Sequence, residues 1–216
     1  MQIKQIDYSL YLVTDRSLAR GRPTRAIVEA AVRGGVTCVQ LREKACSTRT
    51  FIEEALVLRS LLHENGIPLI INDRVDVALA VEADGVHLGQ TDMPLPQARA
   101  ILGDKALIGI SAESLDDALR AEAEGADYIG VSPIFTTPTK TDTAPALGLS
   151  GLAAIRAAVR LPLIGIGGLN LENAAEVIRH GGSGLAVVSA IVSAEDPEAA
   201  ARQLRAAIER AKAQWG

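Results

Sequence analysis

Short runs of apolar residues recur along the chain. Each hands over to a few polar residues and then to a longer stretch whose apolar positions fall three or four apart. An apolar run bounded by turn residues marks a strand covered on both faces, and the wider spacing marks a helix with one buried stripe. The pattern predicts strands at 10–14, 36–41, 68–71, 85–88, 107–110, 128–131, 163–165 and 185–188. Between them it predicts helices at 26–33, 47–64, 75–81, 94–102, 114–124, 150–159 and 170–180, and a last one from 196 to about 213. Phe51, Ala55, Leu58 and Leu62 form the stripe of the second helix. Asn65-Gly66 closes that helix by supplying a left-handed position at low cost. Pro94 and Pro197 sit where a first helical turn tolerates proline. Ser114 with Asp117 three residues on has the form of a capping box, and Asn170 stands where it could cap the seventh helix.

Eight strands alternating with eight helices imply a parallel sheet, because parallel neighbours need helical crossovers. Such a set closes most naturally into a (β/α)8 TIM barrel, here a single domain spanning 1–216. A doubly wound open sheet is the competing architecture. Its usual glycine-rich dinucleotide fingerprint is absent after the first strand. Aromatic residues make up 3% of the chain, so the core has to be built from Leu, Ile, Val and Ala. A net charge of -4 argues against a nucleic-acid surface. It leaves room for a small anion, which responds to local groups. Cys38 and Cys46 have neither metal-site spacing nor the density of a disulfide framework. With no apolar run of membrane length and no leader pattern, the expectation is a cytoplasmic protein with no membrane partner.

In a barrel, chemistry gathers where strands end and βα loops begin. Those positions hold Gln40, Arg42 and Lys44 after the second strand, Asn72 and Asp73 after the third, and Gln90 and Asp92 after the fourth. Ser111 follows the fifth, Gly167-Gly168 the seventh, and Val188-Ser189 the eighth. After the sixth strand runs a long connection with Pro133, Pro138 and Pro145 and with Thr137, Thr139 and Lys140. By composition it is either a lid over a ligand or a surface excursion.

Three subsites emerge, each with a plainer alternative. Gly167-Gly168 and Val188-Ser189 suit a phosphate approached by backbone N–H groups; otherwise the glycines only make tight turns. Asp73 and Asp92 end neighbouring strands and suit Mg²⁺ as the cofactor; otherwise they cap helices. Arg42, Lys44 and Lys140 suit a diphosphate; otherwise they form exposed ion pairs, Glu43-Lys44 above all. No nucleophilic triad is visible, since Ser111 and Ser189 have no evident histidine partner. His87 is either a barrel-lining group or a satisfied core residue.

With these residues in place, the chain resembles the thiamine-phosphate synthase family. The matching pieces are Gln40-Leu41-Arg42-Glu43-Lys44, Ile71-Asn72-Asp73-Arg74-Val75-Asp76, and His87-Leu88-Gly89-Gln90 with Asp92. Further on come Gly109-Ile110-Ser111, Pro133-Ile134-Phe135 leading to Thr137, Thr139 and Lys140, Ile166-Gly167-Gly168, and Val188-Ser189-Ala190-Ile191. The resemblance implies coupling of 4-amino-5-hydroxymethyl-2-methylpyrimidine diphosphate to 4-methyl-5-(2-hydroxyethyl)thiazole phosphate. It implies Mg²⁺ on Asp73 and Asp92, and the diphosphate on Arg42, Lys44, Asn72 and Lys140. Gln40 and Ser111 would face the pyrimidine and the departing group. Thr137, Thr139, Gly168, Val188 and Ser189 would hold the thiazole phosphate. A homodimer is the implied assembly. The chain departs from the family pattern at Ala112-Glu113, Ser132 and Thr136. A thiazole tautomerase and a non-catalytic phosphate-ligand sensor are the competing readings on the same barrel.

Overall fold

The computed structural model describes residues 6–136 and 146–215. The strands are β1 (Leu10–Val13), β2 (Cys38–Leu41), β3 (Leu69–Asn72), β4 (Gly85–Leu88), β5 (Leu107–Ala112), β6 (Tyr128–Val131), β7 (Leu163–Ile166) and β8 (Gly184–Val187). They pair in parallel, in chain order, and β1 also pairs with β8, so the sheet closes on itself as a (β/α)8 barrel. The open-sheet alternative is excluded by that closure. Around the barrel lie α1 (Thr24–Arg33), α2 (Thr48–Glu64), α3 (Val75–Ala80), α4 (Leu95–Leu102), α5 (Leu115–Ala123), α6 (Gly148–Ala158), α7 (Ala174–Arg179), α8 (Ser189–Val192) and α9 (Pro197–Trp215). Among the described residues no helix is long and apolar enough to cross a membrane.

Strand alternation divides the apolar residues into two bodies. Leu10, Leu12, Val39, Leu41, Leu69, Ile71, Ile108 and Ile129 face outward and pack with the helices. Tyr8, Tyr11, Val13, Cys38, Ile70, Tyr128, Ile164 and Ala186 form a separate cluster inside the barrel. Half of the chain's six aromatic residues are therefore spent on that small interior. Small neighbours make room for them. A Cβ at Gly109 would lie 2.0 Å from the Tyr128 ring, and one at Gly130 would lie 3.0 Å from the His87 ring. Large side chains facing glycines on other strands fill a narrow barrel without strain.

The structure differs from the sequence reading at two element ends and one extra helix that bear on the site. Strand β5 runs on to Ala112, so Ser111 is inside the ladder, paired with Gly130. Helix α7 begins at Ala174, not at 170. Asn170 Oδ1 accepts from Glu172 N at 2.8 Å and Asn173 Oδ1 accepts from Asn170 N at 2.9 Å. These side chains satisfy a turn that competes with helix in its first residues. The eighth crossover contains an extra short helix, α8, ahead of the long α9.

Candidate active site

A cavity of about 620 Å³ opens at the C-terminal ends of the strands. It brings together Gln40, Arg42, Lys44, Asn72, Asp73, Asp92, Ser111, Gly168, Val188 and Ser189. Every predicted site residue within the described part of the chain thus lines one space. Thr137, Thr139 and Lys140 lie outside the described residues.

The wall at β2–β4 is built from charged side chains. Lys44 Nζ lies 2.5 Å from Asp73 Oδ2, and Arg42 Nη1 lies 2.9 Å from Asp15 Oδ2. The backbone N–H of Arg42 donates to Thr14 Oγ1 at 3.0 Å. The Glu43-Lys44 pair of the alternative reading does not form: Glu43 turns to Arg16 and Lys44 to Asp73. Asp73 has a φ of 62°, a left-handed conformation that a non-glycine residue adopts at a cost. Its N–H donates to the carbonyl of His87 at 2.8 Å, which ties β3 to β4 at that point. Its carboxylate caps no helix, since α3 begins after Arg74 without a side-chain cap. Asp92 Oδ2 accepts from Gly89 N at 2.7 Å. Burial pushes the Asp92 carboxyl above its usual range; the Gly89 N–H opposes this, and the neighbouring Asp73 adds to it.

Among the described residues no group of three or more His, Cys, Asp and Glu converges on a metal position. Two facing carboxylates are what the protein offers. That donor set fits Mg²⁺, which keeps several waters and is commonly held by one or two carboxylates plus substrate phosphate oxygens. It does not fit Zn²⁺, which wants four nitrogen, sulfur or oxygen ligands from the protein or three with one open position.

The wall at β7–β8 is built from backbone. Gly167 and Gly168 have φ of 102° and 66°. Asn173 Nδ2 holds the Gly168 carbonyl at 2.9 Å. The base of the long connection lies directly over these glycines: Ile134 N donates to Ile166 O at 2.9 Å and Phe135 N to Gly167 O at 3.1 Å. Helix α8 starts at Ser189; Ile191 and Val192 N donate to the Val188 carbonyl, which leaves the N–H groups of Ser189 and Ala190 without an acceptor inside the helix. Loops after the seventh and eighth strands with a short extra helix are the phosphate position of this fold. The sequence supplied the glycines but not α8, whose few residues carry no periodicity to read.

Between the two walls runs a chain of polar groups that the sequence reading missed. Gln40 Nε2 donates to the Tyr11 phenol oxygen at 3.0 Å. The Tyr11 and Tyr128 hydroxyls lie 2.8 Å apart, Tyr128 is 3.1 Å from His87 Nδ1, and His87 Nε2 is 2.9 Å from Ser111 Oγ. Burial holds both phenols well above their usual pKa, so they act as neutral donors. Ser111 therefore has a histidine partner, contrary to expectation. The pair is made across adjacent strands, by His87 on β4 and Ser111 on β5. The inward alternation of β1 and β6 was the available signal for Tyr11 and Tyr128. Of the family departures, Glu113 and Ser132 line the cavity, while Ala112 is buried on the outer side of the barrel.

Comparison with known proteins agrees with this geometry. A family model described as thiamine monophosphate synthase matches residues 10–191. The chain is 59% identical over 203 residues to a thiamine-phosphate synthase of Chloroflexus aurantiacus, covering 94% of both chains. It is 56% identical to one of Albidiferax ferrireducens, covering 93% of this chain and 91% of the relative. Among solved structures, a thiamine phosphate pyrophosphorylase from Pyrococcus furiosus superposes with a TM-score of 0.89 at 42% identity, covering 95% of this chain and 98% of that one. A 3-hexulose-6-phosphate synthase superposes with a TM-score of 0.68 at 19% identity and shares the fold alone. The closed barrel, the two-walled cavity and these likenesses together establish that the chain belongs to the thiamine-phosphate synthase family.

Proposed function

We infer that this cavity is where the chain couples 4-amino-5-hydroxymethyl-2-methylpyrimidine diphosphate to 4-methyl-5-(2-hydroxyethyl)thiazole phosphate, giving thiamine phosphate and diphosphate. The observation that carries the assignment is the pair of unlike anion sites facing each other in one space. Arg42, Lys44, Asp73 and Asp92 stand on one side, and Gly168, Val188 and Ser189 on the other. Two substrates with different anionic tails are thereby held with their rings between them.

The division of labour follows from charge. The bond from the pyrimidine methylene carbon to the diphosphate oxygen breaks, and its electron pair leaves with the diphosphate. The aminopyrimidine ring delocalises the positive charge left on carbon. The thiazole nitrogen then donates its lone pair to that carbon. No strong general base is needed, since the attacking nitrogen already carries its lone pair. Arg42, Lys44 and Asn72 bind the diphosphate and stabilise the charge that develops on it. Asp73 and Asp92 are the residues that would hold Mg²⁺, which when bound screens the diphosphate oxygens. Ser111, fixed by His87, and Gln40, fixed by Tyr11, orient the pyrimidine. The apolar wall of Ile164, Ile166 and Ala186 keeps water from the cation.

Thr137 and Thr139 are assigned to the thiazole phosphate, and Lys140 to the diphosphate. Lys140→Ala is expected to lower the coupling rate far more than it weakens thiazole phosphate binding; equal losses would remove Lys140 from this role. We also assign residues 1–216 to one domain acting as a homodimer. A second copy would cover half-exposed Leu79, Ile101, Leu115 and Leu119 on α3, α4 and α5. Sedimentation of the purified protein tests the dimer.

The decisive experiment mixes the protein with both substrates and Mg²⁺ and follows thiamine phosphate by the fluorescence of its oxidised form, with and without chelator. Metal-dependent product is the expected result. Tight thiazole phosphate binding without product would sink the assignment.

A further inference from the structure

Among the described residues, one buried side-chain polar atom has no hydrogen-bond partner: Oε1 of Glu43. Glu43 lies between Arg42 and Lys44, which both line the cavity, and it does not line the cavity itself. Its side chain is 4% exposed. Arg16, in the turn Arg16–Leu18 after β1, reaches Glu43 Oε2 at 3.2 Å and Glu54 Oε2, on α2, at 2.6 Å. One guanidinium therefore bridges two carboxyl groups that lie side by side in the wall behind the loop. Leaving a buried carboxylate oxygen without a donor costs more than an ordinary hydrogen bond returns. Two adjacent carboxylates under one cation relieve the cost by holding a proton between them.

We propose that Glu43 is a positioning residue for the anion-binding arm Arg42–Lys44, acting as a neutral carboxylic acid that shares its proton with Glu54 while accepting from Arg16. Nothing in the coupling reaction as derived above uses Glu43. Its role is mechanical: with Arg42 N fixed to Thr14 and Glu43 fixed behind the loop, residues 42 and 44 are held on the cavity wall. The charged and titratable groups around Glu43 are Arg16, Glu54 and Cys46. Burial raises the Glu43 carboxyl above its usual pKa and Glu54 adds to the rise, while Arg16 opposes it. That direction agrees with the neutral form.

The inference rests on the assignment of Arg42 and Lys44 to the diphosphate, and the test separates the two. KM is measured for each substrate with the other saturating, in the Mg²⁺-supplied enzyme. Glu43→Gln keeps the shape and a neutral donor and acceptor, so both constants should stay within about twofold of the parent. Glu43→Ala should raise KM for the pyrimidine diphosphate about tenfold and leave KM for the thiazole phosphate unchanged. Glu43→Gln as damaging as Glu43→Ala would overturn the proposal, because the charge rather than the proton would then matter. So would an equal rise in both constants, or no rise, in Glu43→Ala. If Glu43→Ala does not fold, the carboxyl ¹³C titration decides: the signal missing from Glu43→Gln should titrate above the pH of the kinetic assay, and a value below that pH would overturn the proposal. Arg42→Ala and Lys44→Ala are the controls. If neither raises KM for the diphosphate, the site assignment fails; if they do and Glu43→Ala does not, only the role of Glu43 fails.

Discussion

The two walls of the cavity, to which the proposed function gives one anion each, are built by opposite means. At β2–β4 the proposed binding groups are side chains paired with one another: Lys44 with Asp73, and Arg42 with Asp15. At β7–β8 the proposed binding groups are backbone: Gly167 and Gly168 carry no side chain, and the N–H groups of Ser189 and Ala190 open α8. The first wall must exchange internal ion pairs for contacts to the ligand, so its affinity depends on charge and salt. The second has almost nothing to rearrange. This suits their tasks. Charge develops on the diphosphate as it leaves, and groups that respond to charge are useful there. The thiazole phosphate only has to be held still, which fixed dipoles do without titrating.

The comparison breaks most sharply at Asp92. Removing a charge from the side-chain wall should affect the reaction far more than the binding of the other substrate. Asp92→Ala is expected to lower kcat by about 10²–10³-fold, while thiazole phosphate affinity, read by calorimetry, stays near the parent value. A parallel loss of both would mean that the walls are not independent. The mirror experiment is Gly168→Ala. A Cβ there would lie 2.9 Å from Phe135 Cβ and 3.0 Å from Thr136 O, on a backbone already at a φ of 66°. It should raise KM for the thiazole phosphate by about 30-fold, the equivalent of ~2 kcal/mol of strain, with kcat at saturation much less affected. A fall confined to kcat would show that the glycines serve the chemistry instead.

The group between the walls sharpens the comparison further. Ser111→Ala removes the hydroxyl assigned to the pyrimidine. His87→Phe leaves that hydroxyl in place but unanchored. If the histidine acts by orienting the serine, the two variants should each lower kcat by about tenfold and the double variant little more than either. Additive losses would give His87 a separate role.

How much of this could be read from the chain differs between the walls for a physical reason. Arg42, Asp73 and Asp92 were legible because charged residues directly after an apolar run have few structural uses at a strand end. Gly168 was legible because a glycine pair there gives the backbone room. Tyr11 and Tyr128 were not, because their 2.8 Å contact spans 117 residues and arises from ring closure, which no local pattern encodes. The His87–Ser111 bond was missed for a related reason. His87 and Gly109 are partners in the β4–β5 register, and the bond is a diagonal from His87 to the next inward residue. Such a diagonal is visible only once the register is known. The missing periodicity in α8 and the side-chain-closed turn before α7 explain the missed helix and the misplaced start of α7.

The smallest expected effect tests the side-chain wall without any substitution. Asp92 has its pKa raised in the fold by burial, with Asp73 contributing. A carboxyl whose folded pKa exceeds its unfolded value, about 3.9 for aspartate, contributes stability that is complete below the unfolded value. That contribution is lost as pH rises through the folded pKa. In chelator, then, the part of the stability that Asp92 controls should decline from the acidic side toward neutrality, and Asp92→Asn should flatten the decline. The backbone wall contains no group that titrates in this window and should add nothing to it. Mg²⁺ at neutral pH should restore the loss, because a ligand of the ionised folded form stabilises that form by mass action. Thermal unfolding followed in four conditions, parent and Asp92→Asn with and without Mg²⁺, gives the answer. A magnesium-dependent rise in Tm in the parent that disappears in Asp92→Asn would place the cation at the side-chain wall. The same rise in both would place it elsewhere, and the carboxylate pair would then serve only to hold Lys44.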